Sequence, residues 1–578
     1  MKKIILSPFE ILSLSWISIA IIALFLAICG VFHSSAIIAW IIFIPIAFFL
    51  LIRKGYIEVT SHTKDEIWVF AFIVSVGILL SAFVSPTIFG GRDEGSLATN
   101  AILIAQNHGL NHSDEMTVQF FEIYGPGTAL NFPGFFYTNE GMLRSQFLPA
   151  YPAWLATLYS LFGLAGFAFA NFLPLITFAF SFFLVLKRFS KKAIFPFLGV
   201  VVLITLFPIT LFYKFTLTEI FFSALIWFSL HFILRHLKEK SYWTFVVLFI
   251  PLVITPFLRI ESIGFGFVLL FLLILLNFEK MKLPRYRLLF VVGGIITVSS
   301  FMINAHFFTE TIKNFATISP IENFNKTTGD SSFSIIPDDW KNFYLLKIFF
   351  NYNILPLIIL GLSFVYALFR KKMWFNLVPF LFLCPAFIYL IDANISLDHP
   401  WMLRRFVFAI IPVSLLYSMM LIERTAAIKR LPLYIVGILI ALNLSQSVPF
   451  LTYSQNRTLL AQTQELMKDF DKSDLILVSQ QASGSGWSLL SEPAKTLFGK
   501  NAVYFFNQND FAKLDTTKFE NIYLIASDSE IGSYDLLLKE KVRDYEITNS
   551  IVTPSKEPLA QPSSSPIEVS GSVWRVSK

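Results

Sequence analysis

Apolar runs of about twenty residues recur from residue 9 to residue 450, with short basic clusters between them. A helix of that length crosses the hydrocarbon core of a bilayer, and a spanning chain must satisfy its main-chain polar groups internally. The sequence therefore predicts a polytopic α-helical membrane bundle. Crossings are expected near residues 9–32, 36–52, 67–90, 165–187, 193–213, 217–235, 242–258, 262–278, 287–307, 344–368, 374–391, 403–423 and 432–450, 13 in all. Hydrophobic residues make up 55% of the chain and charged ones 14%. Sixty-six phenylalanines fit such a bundle, because side chains that face lipid need be neither small nor polar.

The net charge of +7 does not point to nucleic acid, since the basic residues lie in clusters between apolar runs and carry topology instead. With a cytoplasmic N-terminus, the inner loops hold Arg53/Lys54, Lys187/Arg188/Lys191/Lys192, Arg235/Lys238/Lys240, Lys280/Lys282/Arg285/Arg287, Arg370/Lys371/Lys372 and Arg424/Lys429/Arg430. That satisfies the positive-inside rule for every dense basic cluster but one and predicts a multi-pass inner-membrane protein. The stretch LPAYPAWLATLYSLFG, residues 148–163, would invert every later loop if it crossed. It is therefore expected to lie on the outer face as an interfacial helix anchored by Tyr151, Trp154 and Tyr159. The opening Met1, Lys2, Lys3 and first apolar run read as a retained signal anchor. Cys29 and Cys384 both fall inside apolar runs, which argues against a disulfide framework or a cysteine metal site.

Two regions are expected: a membrane domain, residues 1–451, and an extracytoplasmic α/β domain, residues 452–578. The membrane domain carries a long first outer loop, 91–164, and a second, 308–343. In the tail, QELMKDF and WSLLSEPAKTLFG have helical character. DLILVSQ, NAVYFF, ENIYLIAS and the final IEVSGSVWRV have strand character, with the Pro/Ser-rich TPSKEPLAQPSSSP before the last. ASGSGW, residues 482–487, lacks the spacing of a dinucleotide fingerprint and reads as a plain turn.

Charges at an outer span edge are costly and need a reason. They are Arg92/Asp93/Glu94 in GGRDEG, Lys214 and Glu219 in FYKFTLTE, Arg259 and Glu261 in FLRIES, and Asp392, Asp398, His399, Arg404 and Arg405 before the twelfth span. On this topology all of them share one thin layer at the outer surface. Arginines there bind phosphate through a rigid fork of donors, and a carboxylate beside them suits a general base acting on a hydroxyl. The bland reading for each is also open: Arg92 as an ion-pair partner of Asp93, snorkelling for Arg404 and Arg405, and mutual pairing of Glu219, Arg259 and Glu261 between helices. Asp398 and His399 supply too few ligands to support a divalent metal.

GGRDEGSLATNAILIAQNHGL opening a long outer loop resembles the GT-C superfamily of membrane glycosyltransferases, closest to the protein O-mannosyltransferase and lipid A aminoarabinose transferase branch. LPAYPAWLATLYSLFGLAGFAFANFLP, FTLTEI, FLRIES and HPWMLRRFVFAIIP extend the resemblance in order over residues 67–450. It implies inverting transfer of a sugar from a polyprenyl-phosphate donor to a glycolipid, polysaccharide or protein on the extracytoplasmic face. It further implies Asp93 as the base and Glu94 as its neighbour in holding the site or acceptor. Arg404 and Arg405 would neutralise the departing lipid phosphate, with Arg259 and Lys214 as further candidates and Glu219, Glu261 and His399 in support. Where the aminoarabinose transferases carry a Lys-Pro-Pro element, this chain has residues Phe147 to Pro152, and Arg144 is the nearest substitute for that lysine. Two rivals are a flippase, which would want charges at the membrane midplane, and a polysaccharide polymerase or ligase using a lipid diphosphate.

Overall fold

The structure is a computed structural model that describes residues 3–90, 92–281, 283–309, 343–391, 393, 395–425, 430–484 and 486–577. Most of the expected second outer loop, and Asp392, lie outside the described residues.

The apolar runs fold as helices. They are α1 (Pro8–Ile28), α2 (Ser34–Arg53), α3 (Lys64–Ser81), then α4 (Asp93–Asn107), α5 (Glu115–Tyr124), α6 (Ala150–Phe162), α7 (Phe172–Phe189), α8 (Ile194–Thr205) and α9 (Phe207–Tyr213). After them come α10 (Thr218–Glu239), α11 (Tyr242–Ile254), α12 (Glu261–Met281) and α13 (Pro284–Ile303). The membrane part ends with α14 (Tyr344–Asn351), α15 (Leu355–Arg370), α16 (Trp374–Leu383), α17 (Arg404–Val407), α18 (Ile410–Arg424) and α19 (Leu431–Leu451). Among the described residues seven helices are long and apolar enough to cross a membrane, or ten if each bent pair is one span. Three expected crossings are such bent pairs: α8 with α9 at 63°, α14 with α15 at 106°, and the 401–407 segment with α18 at 57°. Pro208 early in α9 and Pro356 early in α15 explain two of the breaks, since proline is tolerated only in the first turn of a helix.

The structure corrects two expectations. The third apolar run is helical only to Ser81, and residues 84–89 leave the helix to deliver the chain to α4. In the segment at 148–163 two of the three aromatics expected as interfacial anchors face other helices instead. Tyr151 is fully buried and Trp154 nearly so, packed against Phe221 and, for Trp154, Trp16. The Tyr151 hydroxyl donates to Asn171 Oδ1 at 3.1 Å and Trp154 Nε1 to the Ala170 carbonyl at 2.9 Å. With its 3-10 continuation to Phe169 it is itself long and apolar enough to count as a candidate span.

Near the N-terminus β1 (Ile4–Leu6) pairs in parallel with β2 (Ile57–Val59). Within the expected first outer loop, β3 (Asn111–His112), β4 (Gly127–Thr128), β5 (Phe135–Tyr137) and β6 (Leu143–Ser145) form a small sheet in the order β3-β6-β5-β4 beside α4 and α5. The C-terminal region adds α20 (Leu459–Met467), α21 (Ser491–Thr496), β7 (Leu475–Val478), β8 (Asn501–Tyr504), β9 (Ile522–Ser527), β10 (Leu538–Val552) and β11 (Ser564–Val576). Its five-stranded sheet runs β10-β11-β9-β7-β8. The β8, β7 and β9 strands are parallel, and the long β10–β11 ribbon is antiparallel. The Pro/Ser-rich stretch forms the tip of that ribbon. Of ASGSGW, Gly484, Gly486 and Trp487 are all at positive φ.

Candidate active site

Three helices begin at one place. Asp93 and Glu94 occupy the first turn of α4, Glu219 that of α10 and Glu261 that of α12, where the partial positive charge of a helix N-terminus favours carboxylates. Asp93 thus stands in a fixed helical turn and not in a solvated loop. The glycines around it serve close approach: a Cβ at Gly95 would overlap the Phe89 carbonyl, and one at Gly90 would overlap Glu492 and Ser488.

The first turns meet through arginines. Arg404 Nη1 donates to Asp93 Oδ2 at 2.7 Å and its Nε to Glu219 Oε1 at 3.0 Å. Arg259 Nη1 donates to the same Glu219 oxygen at 3.2 Å and to Thr218 Oγ1 at 3.0 Å. Its Nε and Nη2 donate to Glu261 Oε1 at 3.0 and 2.6 Å. Tyr389 OH also donates to Glu261, and Arg405 Nη1 stands 3.8 Å from it with its guanidinium over the Tyr389 ring. Charges therefore alternate along Asp93, Arg404, Glu219, Arg259, Glu261 and Arg405. The exposure is uneven: the Glu219 side chain is 1% exposed and that of Asp93 41%. Buried charges persist only when paired and hydrogen-bonded, which accounts for the interior of the chain. Asp93 is the open end of the line.

Eight of the predicted residues are accounted for by this grouping or border it. Glu94 follows Asp93 into the protein. Burial pushes its carboxyl above the ordinary range although Arg92 opposes this, and its main-chain oxygen accepts from Thr216 Oγ1 at 2.8 Å. Arg92 caps α4 with its main chain only. Three predicted residues stand elsewhere. The Lys214 ammonium has three donors, and they go to the carbonyls of Phe450, Leu451 and Tyr453, at and just past the end of α19. His399 faces another part of the molecule. Its Nδ1 meets Tyr352 OH at 2.8 Å, its Nε2 meets the Glu557 carbonyl at 2.6 Å, and its main chain pairs both ways with Ser555 at 2.9 Å, so it docks the tip of the β10–β11 ribbon. Arg144 lies on β6, paired across the sheet with Asn111 and Phe136, and burial lowers its pKa from the ordinary arginine value. No three potential metal ligands gather among the described residues.

Sequence reasoning missed Tyr389, which braces the chain of ion pairs. Tyr389 sits inside an apolar run, where a single phenol gives no signal. Thr218, which also braces that chain, belongs to the Thr-Glu of FTLTEI that carried part of the resemblance, though with no role assigned.

An apolar cavity of about 370 Å³ opens between α11, α12 and α13, lined by Phe249, Phe267, Leu270, Phe290 and Val298. Thr255 and Ser262 lie on its wall, one on each side of Arg259 and Glu261 in the chain.

No family model matches the sequence, and no curated protein matches it. Among solved structures, ArnT from Cupriavidus metallidurans bound to undecaprenyl phosphate is similar to this chain at 12% identity, over 87% of this chain and 97% of that one, with a TM-score of 0.48. The apo state of the same protein matches at 12% identity over the same shares, with a TM-score of 0.49.

Proposed function

We propose that this protein is an inverting membrane glycosyltransferase that moves a sugar from a polyprenyl-phosphate donor to a cell-envelope acceptor on the extracytoplasmic face. The observation that carries the reading is the half-exposed Asp93 carboxylate, held by Arg404 at the open end of an otherwise buried line of alternating charges. The GGRDEG resemblance supports it. Arg404 fixes one carboxylate oxygen and leaves the other to accept the proton of an acceptor hydroxyl. The acceptor's hydroxyl oxygen, losing its proton to Asp93, attacks the anomeric carbon from the face opposite the phosphate, the sugar–phosphate bond breaks, and polyprenyl phosphate leaves with the bonding electrons. Cationic groups already in place stabilise the charge that develops on the phosphate without rearranging. Arg92 adjoins Asp93 in the chain, Arg405 closes the Glu261 end of the line, and Arg144 is the substitute the sequence nominates for the family's lysine. The cavity between α11, α12 and α13 suits the first isoprene units, since it is apolar and its wall continues from the Arg259–Glu261 turn.

The test is purified protein in vesicles, given a radiolabelled polyprenyl-phosphate sugar and membrane extract. The expected result is consumption of the donor, release of polyprenyl phosphate and a product of inverted anomeric configuration. Label that crosses the vesicle unconsumed would instead identify a flippase, and use of lipid diphosphate donors alone would identify a polymerase or ligase.

A further inference from the structure

The C-terminal region does more than cover the membrane domain, because it touches the turn that delivers Asp93. Gly90, three residues before Asp93, lies so close to Glu492 and Ser488 that any side chain at 90 would overlap both. Both are buried, at 5% and 0% exposure, and the Ser488 hydroxyl has no hydrogen-bond partner among the described residues. Around this point the two regions are stitched together. Lys495 Nζ pairs with Asp114 Oδ2 at 2.6 Å and lies over the Phe132 ring. Asn131 Nδ2 donates to the Tyr504 carbonyl at 2.7 Å, and Gln106, near the end of α4, donates to the Thr496 carbonyl at 3.0 Å. Helix α4 is therefore held at both ends by the segment that contains α21.

We infer that the C-terminal domain is a working part of the reaction centre, with Glu492 and Ser488 as positioning residues that set where Gly90 delivers Asp93. The inference rests on the proposed transfer reaction for its activity readout. Glu492 acts through the main chain of Gly90 and touches no substrate. Its carboxyl is suited to that place only while neutral. Burial pushes it up to about 7, with Lys495 on its own helix opposing and Asp114, the cap of α5, adding to the rise. His112 on β3 faces the same Lys495–Asp114 pair and is held neutral, its pKa lowered by burial to about 3. When Glu492 ionises, Lys495 is already committed to Asp114, so the new charge must either compete for that lysine or turn toward water. Either movement releases Gly90.

The experiment compares wild type, Glu492→Gln and Glu492→Ala in the full chain. Wild-type kcat is expected to fall as pH rises through about 7, whereas Glu492→Gln keeps its turnover across that range. Glu492→Ala is expected to lose about 10- to 100-fold in kcat with KM for the donor little changed, as a small misplacement of a catalytic group does. Hydrogen exchange across residues 84–97 reads the same positioning without turnover. It should quicken in Glu492→Ala and stay close to wild type in Glu492→Gln below neutrality. Identical pH profiles for wild type and Glu492→Gln, or unchanged exchange in Glu492→Ala, would overturn the inference. Absence of donor turnover in wild type would overturn the proposed reaction alone, because the exchange result stands without it.

Discussion

The two ends of α10 carry two buried ion clusters that differ in one respect. At its start Glu219 joins Arg404, Arg259 and, through them, Asp93 and Glu261. Roughly 24 Å along the helix, His231 Nε2 and Arg235 Nη1 both donate to Glu10 Oε1 at 2.8 Å, and Arg235 Nε donates to Glu239 at 2.9 Å. Glu10 is at the same time the reciprocal partner of Ser7 in the capping box that starts α1. The second cluster is closed around its central carboxylate, with Glu10 5% exposed at the side chain, and every donor aimed at Glu10 is part of the helix packing. The first ends in Asp93, 41% exposed. Buried charge alone therefore does not separate the two clusters. The accessible carboxylate at the end of the first does, and the proposed reaction is placed there for that reason.

Substitutions at the two ends separate these roles. Asp93→Asn is expected to lower sugar transfer by about 10²- to 10⁴-fold, the usual worth of a positioned general base, because the amide cannot take the proton. Glu219→Ala and Glu10→Ala each strand buried arginine charge, and each should cost about 3–5 kcal/mol of stability, read by unfolding in detergent. The comparison sharpens in the variants that still fold: transfer should collapse in Glu219→Ala, which frees Arg404, and persist in Glu10→Ala. Equal loss of transfer in both would erase the distinction. Lys214→Met removes charge-assisted bonds to the end of α19, at about 1.5–3 kcal/mol for such bonds. Limited proteolysis should then cut near Thr452 faster than in wild type. Tyr389→Phe, which deletes one of several donors to Glu261, is expected to cost about 1 kcal/mol and to reduce transfer only slightly.

The helical membrane domain was legible because period and length of apolar runs report directly on bilayer thickness. Among the described residues seven helices, or ten with each bent pair taken as one span, meet that length and composition against the 13 expected crossings, and the breaks were not visible because proline is tolerated within spans. Two of the aromatic anchors expected at 148–163 misled for a physical reason. An aromatic-rich apolar helix looks the same whether its rings face headgroups or other helices, and Tyr151 and Trp154 do the latter. In the tail the strands β7, β8, β9 and β11 were legible from their apolar runs. The β10 strand, LKEKVRDYEITNSIV, was not, because its charged, largely exposed face hides the alternation.

For the site, the outlying charges at span edges did collect Asp93, Glu219, Arg259, Glu261, Arg404 and Arg405 into one place, since placing charge beside a membrane demands a partner. Lys214 and His399 obeyed the same rule and met different partners, main-chain carbonyls and the β10–β11 ribbon, which no local pattern announces. Glu492 was illegible for a further reason: its meeting with Gly90 joins segments some four hundred residues apart in sequence, by shape and not by a motif.

The central claim is that Asp93 takes the acceptor proton at the open end of a network that otherwise holds the fold. It is tested most directly by measuring transfer from a radiolabelled polyprenyl-phosphate sugar and thermal unfolding on the same preparation of Asp93→Asn. The account predicts that transfer is lost while the melting temperature stays near that of wild type. Transfer retained at wild-type rate by the folded variant would contradict it.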